Sequence, residues 1–128
     1  MKKSILAFLF VLFMAVSAVA FEVELVWDPN TEPDLAGYKL YFGTASGQYG
    51  TPVNVGMIQP SADGFVHYIT AQNFTFGTTY YFAITAYDNE TPVLESGHSN
   101  EVFTNGASNI GPRNPTGAGI YRVINTSQ

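Results

Sequence analysis

The densest run of metal-ligating groups in the chain is DPNTEPD, residues 28–34, where Asp28, Asn30, Glu32 and Asp34 stand two apart. Oxygen donors at that spacing are how a helix–loop–helix calcium site surrounds its ion, but such a loop also needs glycine at its sixth position and a bidentate glutamate at its twelfth. Pro33 and Lys39 occupy those places, so that reading fails. A looser, weak calcium site would require the fold to bring Asp88, Glu90 or Glu95 against this run. The simpler expectation is that Asp34 and its neighbours accept hydrogen bonds from turn amides.

The two histidines, His67 and His98, are the natural candidates for proton transfer. Ser96 and Ser99 flank His98, yet the sequence has neither a nucleophile elbow nor a glycine-rich oxyanion loop. The chain has no cysteine, so thiol nucleophiles, thiolate metal sites, disulfides and a lipidated cysteine are all excluded. The expectation is a protein without catalytic residues, cofactor or dedicated metal. A different chemistry is open to Tyr41, Tyr81 and Tyr87. If they share the outward face of two neighbouring strands, they form an aromatic row that stacks on sugars or anchors a protein partner. The plainer alternative is ordinary cross-strand pairing, which stabilises a sheet by roughly 0.2–1 kcal/mol per pair. Asn73, Asn89 and Asn125 each stand in an Asn-x-Ser/Thr glycosylation sequon.

These side chains are carried by strands. Residues 1–20 are set apart first: two lysines, an apolar run from Ile5 to Val16 and a closing Ala18-Val19-Ala20 make a secretory signal peptide, cleaved before Phe21. The apolar run is shorter than the ~20 residues of a membrane span. Its alternative is an uncleaved anchor. The predicted protein is therefore exported, extracellular or periplasmic, with the cell surface also open to it, and no membrane insertion follows cleavage. Beyond residue 20 the chain has three basic residues (Lys39, Arg113, Arg122) against ten acidic ones, a net charge of −7. Such a surface repels phosphate backbones and anionic bilayers, so nucleic acid is not an expected partner.

FEVELVW (21–27) alternates in steps of two, with Phe21, Val23, Leu25 and Trp27 on one face. GYKLYFG (37–43) places Tyr38, Leu40 and Phe42 together. A short strand is expected near 52–55 and another over 65–70. After Gly77, TTYYFAITAYD sets Tyr80, Phe82, Ile84 and Ala86 on one face and Tyr81, Ala83, Thr85 and Tyr87 on the other. A polar loop over 88–96 and a strand over HSNEVFT (98–104) complete the body. No window outside the signal has a helical period. Short strands separated by Gly/Pro turns predict an all-β antiparallel sandwich or barrel.

The segment FTFGTTYYFAITAYD resembles the tyrosine-corner region of fibronectin type III domains: Phe74, then Gly77-Thr78, Tyr80, and apolar Phe82, Ile84 and Ala86. Phe76 stands where that family usually has proline. Trp27 with Asp28-Pro29, Gly37-Tyr38 with Leu40, and SGHSNEV resemble further strands of the same family, so the likeness covers residues 21–104. It implies an immunoglobulin-like β-sandwich with Trp27, Tyr38, Leu40, Tyr80, Phe82 and Ile84 as its structural core, Trp27 and Tyr80 largely buried. It also implies a module for extracellular structure or protein–protein interaction.

Such a domain normally opens with a strand ahead of the one bearing Trp27, and a chain starting at Phe21 has no room for one. Residues 105–128 supply a Gly/Pro-rich linker followed by GIYRVI, in which Ile120, Arg122 and Ile124 alternate with Tyr121 and Val123. NPTGAGIYRVI resembles the usual opening of the family. Three fates are open to it: an unpaired remnant, a strand that fills the vacant edge of its own domain, or one that fills the edge of another molecule. Of the two alternating sets, Tyr121 and Val123 are expected inward because the other carries Arg122. The expected partners are thus a protein, or a second copy through strand addition. The rival reading is a carbohydrate-binding or surface-adhesion accessory that uses Tyr41, Tyr81 and Tyr87 on a glycan.

Overall fold

The computed structural model describes residues 20–107, together with residues 120–125 as a strand defined by its backbone pairing. Nine strands run in chain order: β1 Ala20–Phe21, β2 Val23–Trp27, β3 Leu35–Gly43, β4 Val53–Gly56, β5 Val66–Ile69, β6 Phe74–Thr75, β7 Tyr80–Asp88, β8 Val102–Thr104 and β9 Ile120–Asn125. Every pairing is antiparallel, and the described residues contain no helix. The protein is all-β, and its two main sheets are arranged as a β-sandwich.

One sheet has the order β5-β2-β9, the other β4-β3-β7-β8, and β1 with β6 forms a two-stranded patch. The alternating sequence explains why the sheets close on one another. Val23, Leu25 and Trp27 of β2 and Val66 of β5 are fully buried against Tyr38 and Leu40 of β3, Phe82 and Ile84 of β7 and Val102 of β8. Removing these side chains from water is the main favourable term, roughly 1.5–3 kcal/mol for each large one before conformational entropy is set against it. Trp27 meets Tyr38 edge-on at 5.2 Å between ring centroids. Tyr38 in turn accepts a hydrogen bond on its hydroxyl from the Asn30 backbone N–H (2.9 Å). That contact fixes the loop after β2.

The two ends of the sandwich differ. At the lower pole Phe74 is a plug, with its ring 4.7 Å from Tyr80, 5.3 Å from Phe82, 5.4 Å from Phe42 and 5.8 Å from Phe21. Tyr80 is only half-buried, and its hydroxyl accepts a hydrogen bond from the Thr75 backbone N–H at 3.0 Å, so the turn before β7 is tied to the strand that follows it. Gly106 has φ of +86°, and a Cβ there would lie 2.8 Å from the Phe21 ring and 2.9 Å from Phe76. Only glycine satisfies both conditions. The upper pole carries the loops 28–34 and 89–95, joined by Asn89 N–H to the Asp34 carbonyl (3.1 Å).

The last strand of the body is shorter than its sequence predicts. Of HSNEVFT only Val102–Thr104 is strand. Upstream, Ser96 and Ser99 use their hydroxyls to accept from the Ala86 and Ile84 amides, while their own N–H groups reach the Ala86 and Ile84 carbonyls. Serine side chains thereby substitute for ladder bonds, and the segment follows β7 without regular strand geometry. β6 is a second departure, since two residues are too few to leave a period in the sequence.

Candidate functional site

β2 is the centre of the three-stranded sheet, and its two neighbours come from very different places in the chain. β5 pairs with it from Glu24↔Ile69 to Trp27↔Val66. On the other side lies β9, with Val23 opposite Asn125, Glu24 opposite Ile124, Leu25 opposite Val123 and Val26 opposite Arg122. The register then shifts, and Ile120 stands opposite Trp27. Of the four tail residues singled out from sequence, Val123 takes a register position facing buried Leu25. The irregularity changes the phase at Tyr121, so that Ile120, not Tyr121, is the residue across from Trp27. An extra residue on one strand has this effect because the side-chain period is two. The facing expected from alternation alone, Tyr121 and Val123 inward, concerns side chains that lie outside the described residues.

On the outer face of the same sheet His67 lies between two carboxylates. Its Nδ1 is 2.8 Å from Glu24 Oε1 and its Nε2 is 2.7 Å from Asp63 Oδ2. Both contacts are good only when both ring nitrogens carry protons. The Glu24 and Asp63 hydrogen bonds accordingly raise the imidazole pKa above its ordinary 6.5. Asp63, also bonded to the Phe65 backbone N–H, is held below the ordinary carboxylate value, with that amide the larger cause and His67 the next. The three groups form an ion-paired clamp from the 61–65 turn to the middle of β2.

The outer face of the four-stranded sheet carries the three tyrosines predicted there, all half-buried. They do not form one bare row. Tyr81 packs on Phe103, 5.8 Å between centroids. Tyr87 donates its hydroxyl to Asn54 Oδ1 (2.8 Å), and the Lys39 ammonium lies 5.6 Å from its ring centroid. Tyr41 donates to Glu95, which also accepts from Thr85 Oγ1 (2.6 Å) and Lys39 Nζ (3.2 Å). The Thr85 hydrogen bond, followed by that from Tyr41, lowers the Glu95 pKa, while the Glu95 hydrogen bond raises that of Tyr41.

A second carboxylate, Glu101, accepts from Ser46 Oγ (2.5 Å), the Gly47 N–H (2.8 Å) and the Tyr49 hydroxyl. Desolvation works against its ionised form, but these donors prevail and its pKa is lowered. Burial, then Glu101, pushes the Tyr49 phenol well above its ordinary value. The His98 ring sits edge-on to both Tyr41 (4.5 Å) and Tyr49 (5.2 Å). Tyr49 and Glu101 were not singled out from sequence, and no local signal marks them, because their partners lie more than fifty residues apart. Tyr41, Tyr49 and the two glutamates thus staple loops to the sheet, and Tyr87 ties β7 to β4. Ala83 and Thr85, on the face away from the core, are buried at 0% and 2% exposure beneath this layer.

At the upper pole the loops do meet. Asp34, Asp88 and Glu90 each offer a carboxylate oxygen within 4.8 Å of the others. Asp88 already accepts from the Glu90 and Leu94 amides at 3.2 and 2.8 Å, which is the turn-amide role. An adjoining open cavity of about 300 Å³ is lined by Glu32, Asp34, Tyr87, Asp88 and Glu95 among others. Neither histidine is hydrogen-bonded to a hydroxyl nucleophile among the described residues. No described helix is long and apolar enough to cross a membrane. Residues 1–19, including most of the signal peptide read from the sequence, lie outside the described residues. Comparison with family models, curated proteins and solved structures gives no match.

Proposed function

We propose that the protein is a non-catalytic, exported β-sandwich module for extracellular structure or protein–protein interaction, its sheet closed by pairing of the C-terminal strand with β2. The pairing of β9 with β2 carries this reading. Without β9, one side of β2 would present unpaired N–H and C=O groups beside Val23, Leu25 and Trp27, an edge that invites another strand. A fibronectin type III-like identity is part of the proposal. It is supported by buried Trp27, by the Tyr80 hydroxyl bonded to backbone five residues upstream, and by β9 lying where the resemblance lacks its first strand. Export rests on the Lys2-Lys3, apolar-run and Ala-x-Ala pattern alone.

Amide exchange and denaturation of the chain from Phe21 to Gln128, beside the same chain ending at Asn105, test this. The full chain is expected to protect residues 120–125 and the facing amides of β2, and the shortened one to lose protection on β2 and to change in stability and size. Tail amides that exchange as free chain, with stability and size unchanged by shortening, would sink the reading.

A further inference from the structure

The two ends of β9's connection lie at opposite poles. β8 runs downward, with Thr104 opposite Tyr80, and the chain passes Gly106 beside Phe21 and Phe76 at the lower pole. β9 begins opposite Trp27, at the upper end of β2, and runs back down to Asn125 opposite Val23. Within one molecule, the stretch from Ala107 to Ile120 must therefore return the full height of the sandwich before pairing starts. In a stack of molecules placed lower pole to upper pole, the same stretch leads straight from one body to the start of β2 in the next. Thirteen Cα steps reach about 45 Å when extended, enough for either route.

The poles carry a second, independent feature. Phe76 (44% exposed) projects at the lower pole beside Gly106. Val93 (56%) and Leu94 (59%) project at the upper pole, where the Leu94 N–H and carbonyl are tied to Asp88. Each end of the sandwich thus exposes large apolar side chains, as the sheets do at Ile69 and Phe103.

We infer that β9 is donated to β2 of a second copy of the chain, in the register seen here, so that molecules join lower pole to upper pole. This rests on the strand-completion reading above and names its partner. The strand contacts are the same within and between chains, so the balance is set by linker reach and protein concentration. Contact between Phe76 of one copy and Val93 and Leu94 of the next exists only between chains. The surfaces used on the two copies differ, so the contact does not close on itself and repeats as a linear chain.

The chain has no cysteine, which makes a cross-link test clean. Glu24 and Ile124 are register partners, within the Cα separation a disulfide bridges. Variants Glu24→Cys and Ile124→Cys are prepared singly, mixed in equal amounts at about 1 mM, a concentration comparable with that of a tethered strand, and oxidised. A two-chain product linking residue 24 to residue 124 is expected. The double variant is expected to give a ladder on a denaturing gel, fading towards single chains when oxidised at about 10 µM. Leu94→Asp is expected to lower the two-chain yield about tenfold.

Cross-linking confined to single chains at every concentration overturns donation between copies and leaves the strand-completion reading standing. No 24–124 cross-link of either kind overturns both. A yield indifferent to Leu94→Asp overturns the docking of the poles. Sedimentation of the unsubstituted chain over the same concentrations needs no engineered residue, and a monomer mass throughout overturns the inference.

Discussion

The two sheets of this molecule are held in contrasting ways. In the four-stranded sheet β3 pairs with β4 and β7 with β8, and the long β3–β7 ladder joins the two pairs. Its outer face is covered by side chains that tie distant loops down, with Glu95 and Glu101 each accepting three hydrogen bonds. The three-stranded sheet has β2 at its centre, and one of β2's neighbours arrives from the far end of the chain, past the Gly/Pro-rich stretch 105–119. Among the described residues its outer face carries the His67 clamp. One sheet is complete within the body, whereas the other is complete only while a remote segment stays in place. Interfaces are more readily exchanged where closure depends on a strand at the end of a long tether than where every strand lies within the body.

The sharpest way to break this contrast is to remove what the sheets share. Trp27→Ala is expected to cost about 3–5 kcal/mol, because the indole is fully buried between the two sheets and leaves a cavity. Urea denaturation checks it, and a loss under ~1 kcal/mol would mean that the sheets do not depend on this common core. Next in size is loss of β9. Ending the chain at Asn105 is expected to cost about 3 kcal/mol through partial exposure of Val23, Leu25 and Trp27. Exchange protection should fall on β2 and β5 and hold on β3 and β7. Equal losses in both sheets would erase the distinction between them.

On the other sheet, Glu101→Ala is expected to cost about 1–2 kcal/mol by leaving Ser46, Gly47 N–H and Tyr49 to water. The same denaturation series reads it, with Glu101→Gln retaining part of the loss-free state. A null effect would make the outer layer decorative.

The smallest effect is in pH. His67 has a raised pKa in the folded protein, so its clamp contributes fully below about 6.5, the unfolded value, and that contribution is lost as pH rises through the higher folded value. Glu95 and Glu101 have lowered pKa values, so their contribution is present above about 4.5 and is lost as pH falls through the lower folded values. Thermal melts from pH 3 to 9 are expected to show a plateau between the two. His67→Gln should flatten the alkaline side and weaken the acid side only by its part in lowering the Asp63 pKa, and an alkaline slope that survives it would assign that side to other groups.

Much of this architecture was legible because strand alternation is a local signal. Phe21, Val23, Leu25 and Trp27 are all buried, as are Tyr38 and Leu40. Tyr80, read as a core residue, is half-buried because its hydroxyl must reach the Thr75 amide at the surface turn. The sequence could not show that the outward face of β7 is also covered. Ala83 and Thr85 look like solvent positions until Tyr41 and Glu95 are laid over them. The aromatic row of Tyr41, Tyr81 and Tyr87 was read from the periods of two neighbouring strands, but the hydroxyl partners that engage Tyr41 and Tyr87 are distant in sequence, Glu95 in a loop and Asn54 in β4.

By itself the sequence determined an all-β chain, the core-facing residues of its long strands, an acidic exterior, the lack of any thiol chemistry and a final segment fit to be a strand. Those properties depend on residue type and a period of two, which neighbours in the chain suffice to define. Only the tertiary structure decided that β9 lies against β2, that its phase shifts at Tyr121, and that His67, Glu95 and Glu101 become ion-paired and hydrogen-bonded anchors. Each of these joins residues dozens of positions apart, and no local pattern encodes which distant strand or carboxylate will fill a given edge.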